Sequence, residues 1–167
     1  MDIDIEIEAP AWEALDLPAL VAHVAPLVLR DRGLDPDICT LSILACDDAR
    51  IAELNADFRA KPQATNVLSW PAQERGADQP GAEPDRPAPD VFGEIALGDV
   101  AIAYETCQRE AADQGKPIEN HVTHLIIHAI LHLLGYDHIH EQDAQLMEQI
   151  EVRLLENEGI VNPYGQD

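Results

Sequence analysis

Six of the seven histidines of this chain fall within one stretch of twenty residues, HVTHLIIHAILHLLGYDHIH, from position 121 to 140. A neutral imidazole nitrogen is a common metal ligand, so this concentration raises the question of a metal centre first. His128 and His132 are four residues apart, which on a helix places them on one face with Cβ atoms roughly 5–6 Å apart. Two such rings can meet one ion at bond lengths of about 2.0–2.1 Å. A third ligand cannot come from the next turn without distorting the tetrahedral angles, so the chain has to stop, reverse and return. Gly135 permits this, because glycine takes the left-handed conformation that ends a helix at little cost. His138, three residues later, then approaches from outside the helix. Any one of these histidines alone reads as a core or surface residue. The triple reads as a cage for one zinc ion per chain.

Three imidazoles without a cysteine leave a fourth position for water, whereas structural zinc sites are usually closed and rich in thiolate. The set therefore favours catalysis: neutral ligands leave most of the charge on the dication, which would lower the pKa of a bound water to about 7 and polarise a substrate. The spacing HxxxHxxGxxH resembles the zinc-binding core of the metzincin peptidases, which carry Glu directly after the first His as general base. Here that position is Ala129. The metal cage remains and the proton shuttle is missing, so peptidase chemistry is the weaker reading. His121 and His124 share the helix face of His128 and are candidates for places behind the ligands or in the substrate pocket. Asp137 is a candidate for orienting a ligand imidazole, Tyr136 reads as packing, and His23 and His140 read as surface residues.

The elements that must position these residues follow from periodicity. Ile3, Ile5 and Ile7 alternate with acids as in a half-buried strand. A helix is predicted from Leu17 to about Leu34, opened near Pro18, stopped by Gly33, and kinked or split at Pro26. Ile38 to Ala45 reads as a buried strand, followed by a helix capped by Asp47 or Asp48 and running through Ile51, Leu54 and Phe58. Val67 to Trp70 is a short strand. From Pro71 the chain enters a stretch rich in Pro, Ala, Gly and charge, expected to be a disordered insertion at about 72–91. The sheet resumes at Gly93–Gly98 and at Val100–Ile102, then Tyr104–Gln114 is helical. The histidine helix is opened by Pro117 and closed by Gly135, and a last helix spans Asp143–Glu158. The fold class is α+β: a single domain over 1–167, with a small mixed β-sheet covered by helices and the metal site at the C-terminal end of a buried helix.

Composition narrows the partners. At 167 residues with 46% hydrophobic and 25% charged side chains, the chain has the makings of one conventional core. Three cysteines far apart, Cys39, Cys46 and Cys107, read as reduced, small core residues, and the start of the chain predicts neither a secretory signal nor an anchor. The expected location is cytoplasmic, with no membrane contact. A formal charge of −22 weighs against general nucleic-acid binding. It does not exclude a local basic pocket, because screening limits the repulsion to roughly 8–10 Å at physiological salt.

On these residues a resemblance appears. HLIIHAILHLLGYDH is similar to the signature of the YbeY family of metal-dependent endoribonucleases. Leu54, Asn55, Phe58 and Arg59 with Thr65 to Pro71 (TNVLSWP) resemble its second block, and Gly93, Glu94, Ile95 with Leu97, Gly98 and Asp99 its third. The resemblance implies a zinc-dependent endoribonuclease specific for single-stranded RNA, acting in 16S ribosomal RNA 3′-end maturation and ribosome quality control. It assigns the metal to His128, His132 and His138 and an arginine needed for activity to Arg59; His124, Asp137 and Thr65 are candidates for places behind the ligands or in the substrate pocket. Implied partners are ribosomal RNA and, besides it, ribosomal proteins or assembly GTPases. Ala129 stands where the family usually has Gly, and Ala64 where Pro is common. Two other readings stay open at this point: a non-cleaving ribosome-assembly factor with a structural zinc, and a zinc peptidase or other zinc hydrolase.

Overall fold

The computed structural model describes residues 1–164, apart from the side chain of Phe58, whose place on the apolar face of its helix lies outside the described residues. Four strands form one mixed sheet in the order β1-β2-β4-β3: β1 (Asp2–Ile7), β2 (Cys39–Cys46), β3 (Val67–Pro71) and β4 (Ile95–Ala103). β1 and β4 flank β2 in parallel, while β3 runs antiparallel to β4 as an edge. Five helices accompany them: α1 (Leu17–Asp31), α2 (Asp48–Arg59), α3 (Tyr104–Asp113), α4 (Ile118–Leu133) and α5 (Glu141–Asn157). The architecture is the α+β one expected. Among the described residues no helix is long and apolar enough to cross a membrane.

Two details differ from the sequence reading, one in a strand and one in a helix, each for a physical reason. The segments Gly93–Gly98 and Val100–Ile102 are one strand, β4, interrupted by an extra residue: Thr40 pairs with Ala96 and Leu41 with Gly98, leaving Leu97 unmatched. The bulge shifts the side-chain parity. Ile95 and Leu97 before it, and Val100 and Ile102 after it, therefore all enter the main core, whereas Ala101 and Ala103 join a smaller cluster with Ile51 and Leu68 beneath α2. Read as strict alternation, such a strand looks like two. Gly98 is required here, because with φ +140° a Cβ would lie 2.2 Å from the backbone oxygen of Trp70.

The first helix is not split: α1 runs as one helix through Pro26 to Asp31. A proline at mid-helix costs about 3 kcal/mol. Val21, Val24, Ala25, Val28 and Leu29 around it are all buried in the core, and that packing holds the helix together. The three cysteines are free and buried, as expected of core residues. Burial, with acidic neighbours, pushes the Cys46 thiol up to about 12, which makes it inert at neutral pH.

The segment between β3 and β4 contains neither helix nor strand. It is tied to the body by the Ala72 amide on the Leu97 carbonyl, the Gly81 amide on Asp143 Oδ1, and the buried side chain of Arg75. α2 ends in a tight reversal at Ala60, the one non-glycine with positive φ (56°) among the described residues. There the amides of Ala60 and Lys61 cap the carbonyls of Ala56 and Asn55. Ala60→Gly should remove about 1–2 kcal/mol of left-handed strain and give back roughly half of it as freedom of the unfolded chain. The expected net gain is about 0.5–1 kcal/mol, read as a higher urea midpoint. A lower midpoint would argue against strain at this position.

Candidate metal centre

α4 lies in the middle of the molecule, packed against α1, α3, α5, β3 and β4. It is apolar nearly all round, as a helix must be when core surrounds it. From His121 to Leu133 every residue is buried except two, His128 and His132, which are partly exposed. Beyond the first turn, those two imidazoles are thus the window through which the helix meets solvent. The helix ends by a glycine reversal: Gly135, at φ +103°, follows the cap residue Leu134, and the amides of Gly135 and Tyr136 cap the carbonyls of His132 and Leu131. The reversal brings back His138, whose backbone amide donates to Asp137 Oδ1 at 2.6 Å.

The ligating atoms of His128, His132 and His138 lie within 4.8 Å of one another, so these three could hold one metal ion. Nε2 of His128 and Nε2 of His132 are 3.1 Å apart. Two ligands bound tetrahedrally at about 2.0–2.1 Å should be roughly 3.3 Å apart, so the pair is at ion-sharing distance. A second group, His124, His128 and Glu151, also falls within 4.8 Å. There the separation of His128 Nδ1 from Glu151 Oε2 is 2.6 Å, too short for two ligands of one ion and right for a charge-assisted hydrogen bond.

That hydrogen bond sets the chemistry of the site. Glu151 is fully buried. Burial pushes its carboxyl up, but hydrogen bonds from His124 and His128 outweigh it and bring the pKa down to about 2. An ionised carboxylate only accepts, so His128 must carry its proton on Nδ1, which leaves the Nε2 lone pair facing His132. Burial, then the His128 and His138 rings, lowers the His132 pKa to about 4, so this imidazole is neutral near pH 7 and able to ligate. The donor set, three imidazoles of which His128 carries its proton on the side away from His132, therefore fits a borderline-soft dication such as zinc.

The other residues expected at the site separate into two groups. Arg59, Thr65 and Asp137 line one cavity of about 480 Å³ together with His128, Ala129, His132 and His138. Arg59 stands exposed at the end of α2. Asn55, buried in that helix, donates through Nδ2 to the Gln63 carbonyl and holds the loop that leads on to Thr65 and β3. Asp137 braces the backbone of the returning turn rather than an imidazole. His124 is not on this cavity. Its Nε2 meets Glu151 Oε1 at 2.9 Å and the Tyr164 hydroxyl at 3.1 Å, and the residue borders a different hollow with His121. His121 is bonded to Glu110 at 2.8 Å, and His23 is exposed beside Glu158.

Glu151 is the residue that sequence reasoning missed. The signal was present: it falls on the stripe Met147, Ile150, Leu154, Leu155 of α5, where an acid is out of place unless it has a buried partner. Glu151→Gln keeps the volume and loses the charge; it should weaken zinc affinity about 10- to 100-fold with the helical circular dichroism retained. Equal affinity in a chelator competition would remove this role. A methyl at Gly135 would lie 2.5 Å from the Arg75 carbonyl oxygen. Gly135→Ala should therefore cost about 2 kcal/mol or more of unfolding free energy, and an unchanged urea midpoint would contradict the geometry.

Comparison with known proteins adds the following. The family model described as Endoribonuclease YbeY matches residues 2–159. The Endoribonuclease YbeY of Ruegeria pomeroyi is 55% identical over 167 residues, covering 100% of both chains. That of Jannaschia sp. is 54% identical over 164 residues, 98% of this chain and 100% of the other. A solution structure of a Thermotoga maritima protein matches with a TM-score of 0.56 at 18% identity, over 98% of this chain and 99% of that one, and shows likeness of fold.

Proposed function

The chain belongs to the YbeY endoribonuclease family, and from that premise we propose that it cleaves single-stranded RNA at the His128, His132, His138 centre with one zinc ion. As a family member it is a nuclease, a hydrolase of phosphodiester bonds. The observation that carries the reading is the convergence of three imidazoles and one guanidinium, Arg59, on a single cavity. When bound, the ion supplies Lewis acidity and positive charge where the phosphoryl group gains negative charge.

The chain's own residues do the rest. Glu151 holds the His128 proton on Nδ1 and so aims Nε2 inward. Arg59 presents a planar fork of N–H donors suited to two nonbridging phosphate oxygens. Thr65 and Ser69, on the same wall, offer hydroxyls to the sugar–phosphate backbone. Ala129 leaves no general base where a metzincin has one, which supports a nuclease over a peptidase. The physiological substrate we infer is the 3′ region of 16S ribosomal RNA, with action in ribosome quality control in the cytoplasm; the three sequence blocks that resemble the family support it. An acidic body also suits basic ribosomal proteins as partners, with assembly GTPases beside them.

The test compares the purified protein with His128→Ala and Arg59→Ala on single-stranded RNA, alongside metal analysis. Chelation should abolish cleavage and zinc restore it. His128→Ala should be inactive, and Arg59→Ala about 100-fold slower or more. Equal cleavage by all three would point to a contaminating nuclease and favour a non-cleaving assembly factor. End-group analysis separates attack by water from attack by the RNA 2′-OH, which leaves a 2′,3′-cyclic phosphate.

A further inference from the structure

Arg75 lies in the Pro- and Gly-rich segment after β3, where a solvated side chain would be ordinary, yet it is only 6% exposed. Its Nη1 donates to the Leu133 carbonyl at 2.9 Å and to that of Leu97 at 3.3 Å, and its Nη2 to that of Ala96 at 3.1 Å. Among the described residues no carboxylate lies within ion-pair distance of it, and its buried Nε has no hydrogen-bond partner. Desolvating a guanidinium without a counter-charge is costly, so its position needs a reason. Leu133 is the last residue of α4, and its carbonyl is one of those a helix leaves unsatisfied. A cation there also meets the negative end of the helix dipole. Ala96 and Leu97 are the residues of the β4 bulge.

The backbone of the same residue acts on the other side of the turn. The Arg75 carbonyl oxygen accepts from the Asp85 amide at 3.3 Å and sits where a Cβ on Gly135 would have to be. Side chain and main chain of one residue thus enclose the reversal from Leu133 to Gly135, three residues before His138. His138 is reached by the chain through that reversal. The His128 ring is held by Glu151, whereas no hydrogen bond of its own holds the His138 ring among the described residues.

We propose that Arg75 is a positioning residue for the metal centre, a clamp that joins the last turn of α4 to the β4 bulge and so sets where the glycine reversal delivers His138. The proposal rests on the three-histidine reading above. It makes the segment after β3 part of the site's support, acting through the backbone and not through substrate.

The experiment uses the full chain as wild type, Arg75→Gln, Arg75→Lys and His128→Ala. Zinc affinity is measured by chelator competition and coordination by the visible absorption of the cobalt-substituted protein. Arg75→Gln should bind zinc about 10- to 100-fold more weakly, with an altered cobalt spectrum. Arg75→Lys should lie between, because an ammonium lacks the fork that spans both strand and helix carbonyls. Affinities of both variants within threefold of wild type, with an unchanged cobalt spectrum, overturn the proposal even if thermal stability falls, since that pattern is a structural role alone. If Arg75→Gln does not fold, Arg75→Lys decides by the same threshold. Wild-type affinity in His128→Ala would instead sink the three-histidine reading itself, so the two failures are told apart.

Discussion

A buried carboxylate facing a histidine decides what this molecule can hold. Two imidazole nitrogens at 3.1 Å can point lone pairs at one ion only if the protons sit on the far sides of the rings, and for His128 the far side is Glu151. Without that acceptor the tautomer of His128 would be free, and its Nε2–H could simply donate to His132. The hydrogen bond also stabilises Glu151, whose charge would be costly to bury unpaired. Ligand and carboxylate thus need each other, and both need α5 packed on α4.

The placement of α4 follows from the same need. A helix buried almost everywhere has few positions for polar side chains, and beyond its first turn its two partly exposed positions are His128 and His132. β3 and the end of α2 form the opposite wall and bring up Arg59 and Thr65. In a chain with net charge −22, Arg59 is the one Lys or Arg among the residues lining this cavity. Polyanion binding by such a body relies on short-range contacts within a screening length rather than on a long-range field.

The glycines at 98 and 135 mark where the backbone comes closest to itself. Gly98 lets the β4 bulge pass against Trp70, and Gly135 lets the end of α4 pass against Arg75. Both lie at the seam where the sheet, the metal helix and the segment after β3 meet. His138, the most exposed of the three histidines, follows Gly135 by three residues.

Helical spacing within α4, the glycine that ends it, the histidine three residues on and the strand and helix order were legible in the residues themselves. Each depends on contacts within a few positions, which periodicity and capping encode directly. The family signature added Arg59 and Thr65, which local patterns would not have singled out. Only the tertiary structure chose Glu151, 23 residues from His128, as the partner of that histidine, because that depends on how α5 lies on α4. It alone joined the two halves of β4, since a bulge breaks the alternation by which a strand is recognised. It also let α1 run through Pro26, since core packing outweighs a local cost. And it placed Arg75 at the end of the metal helix, a contact 58 residues apart that no local pattern in the chain announces.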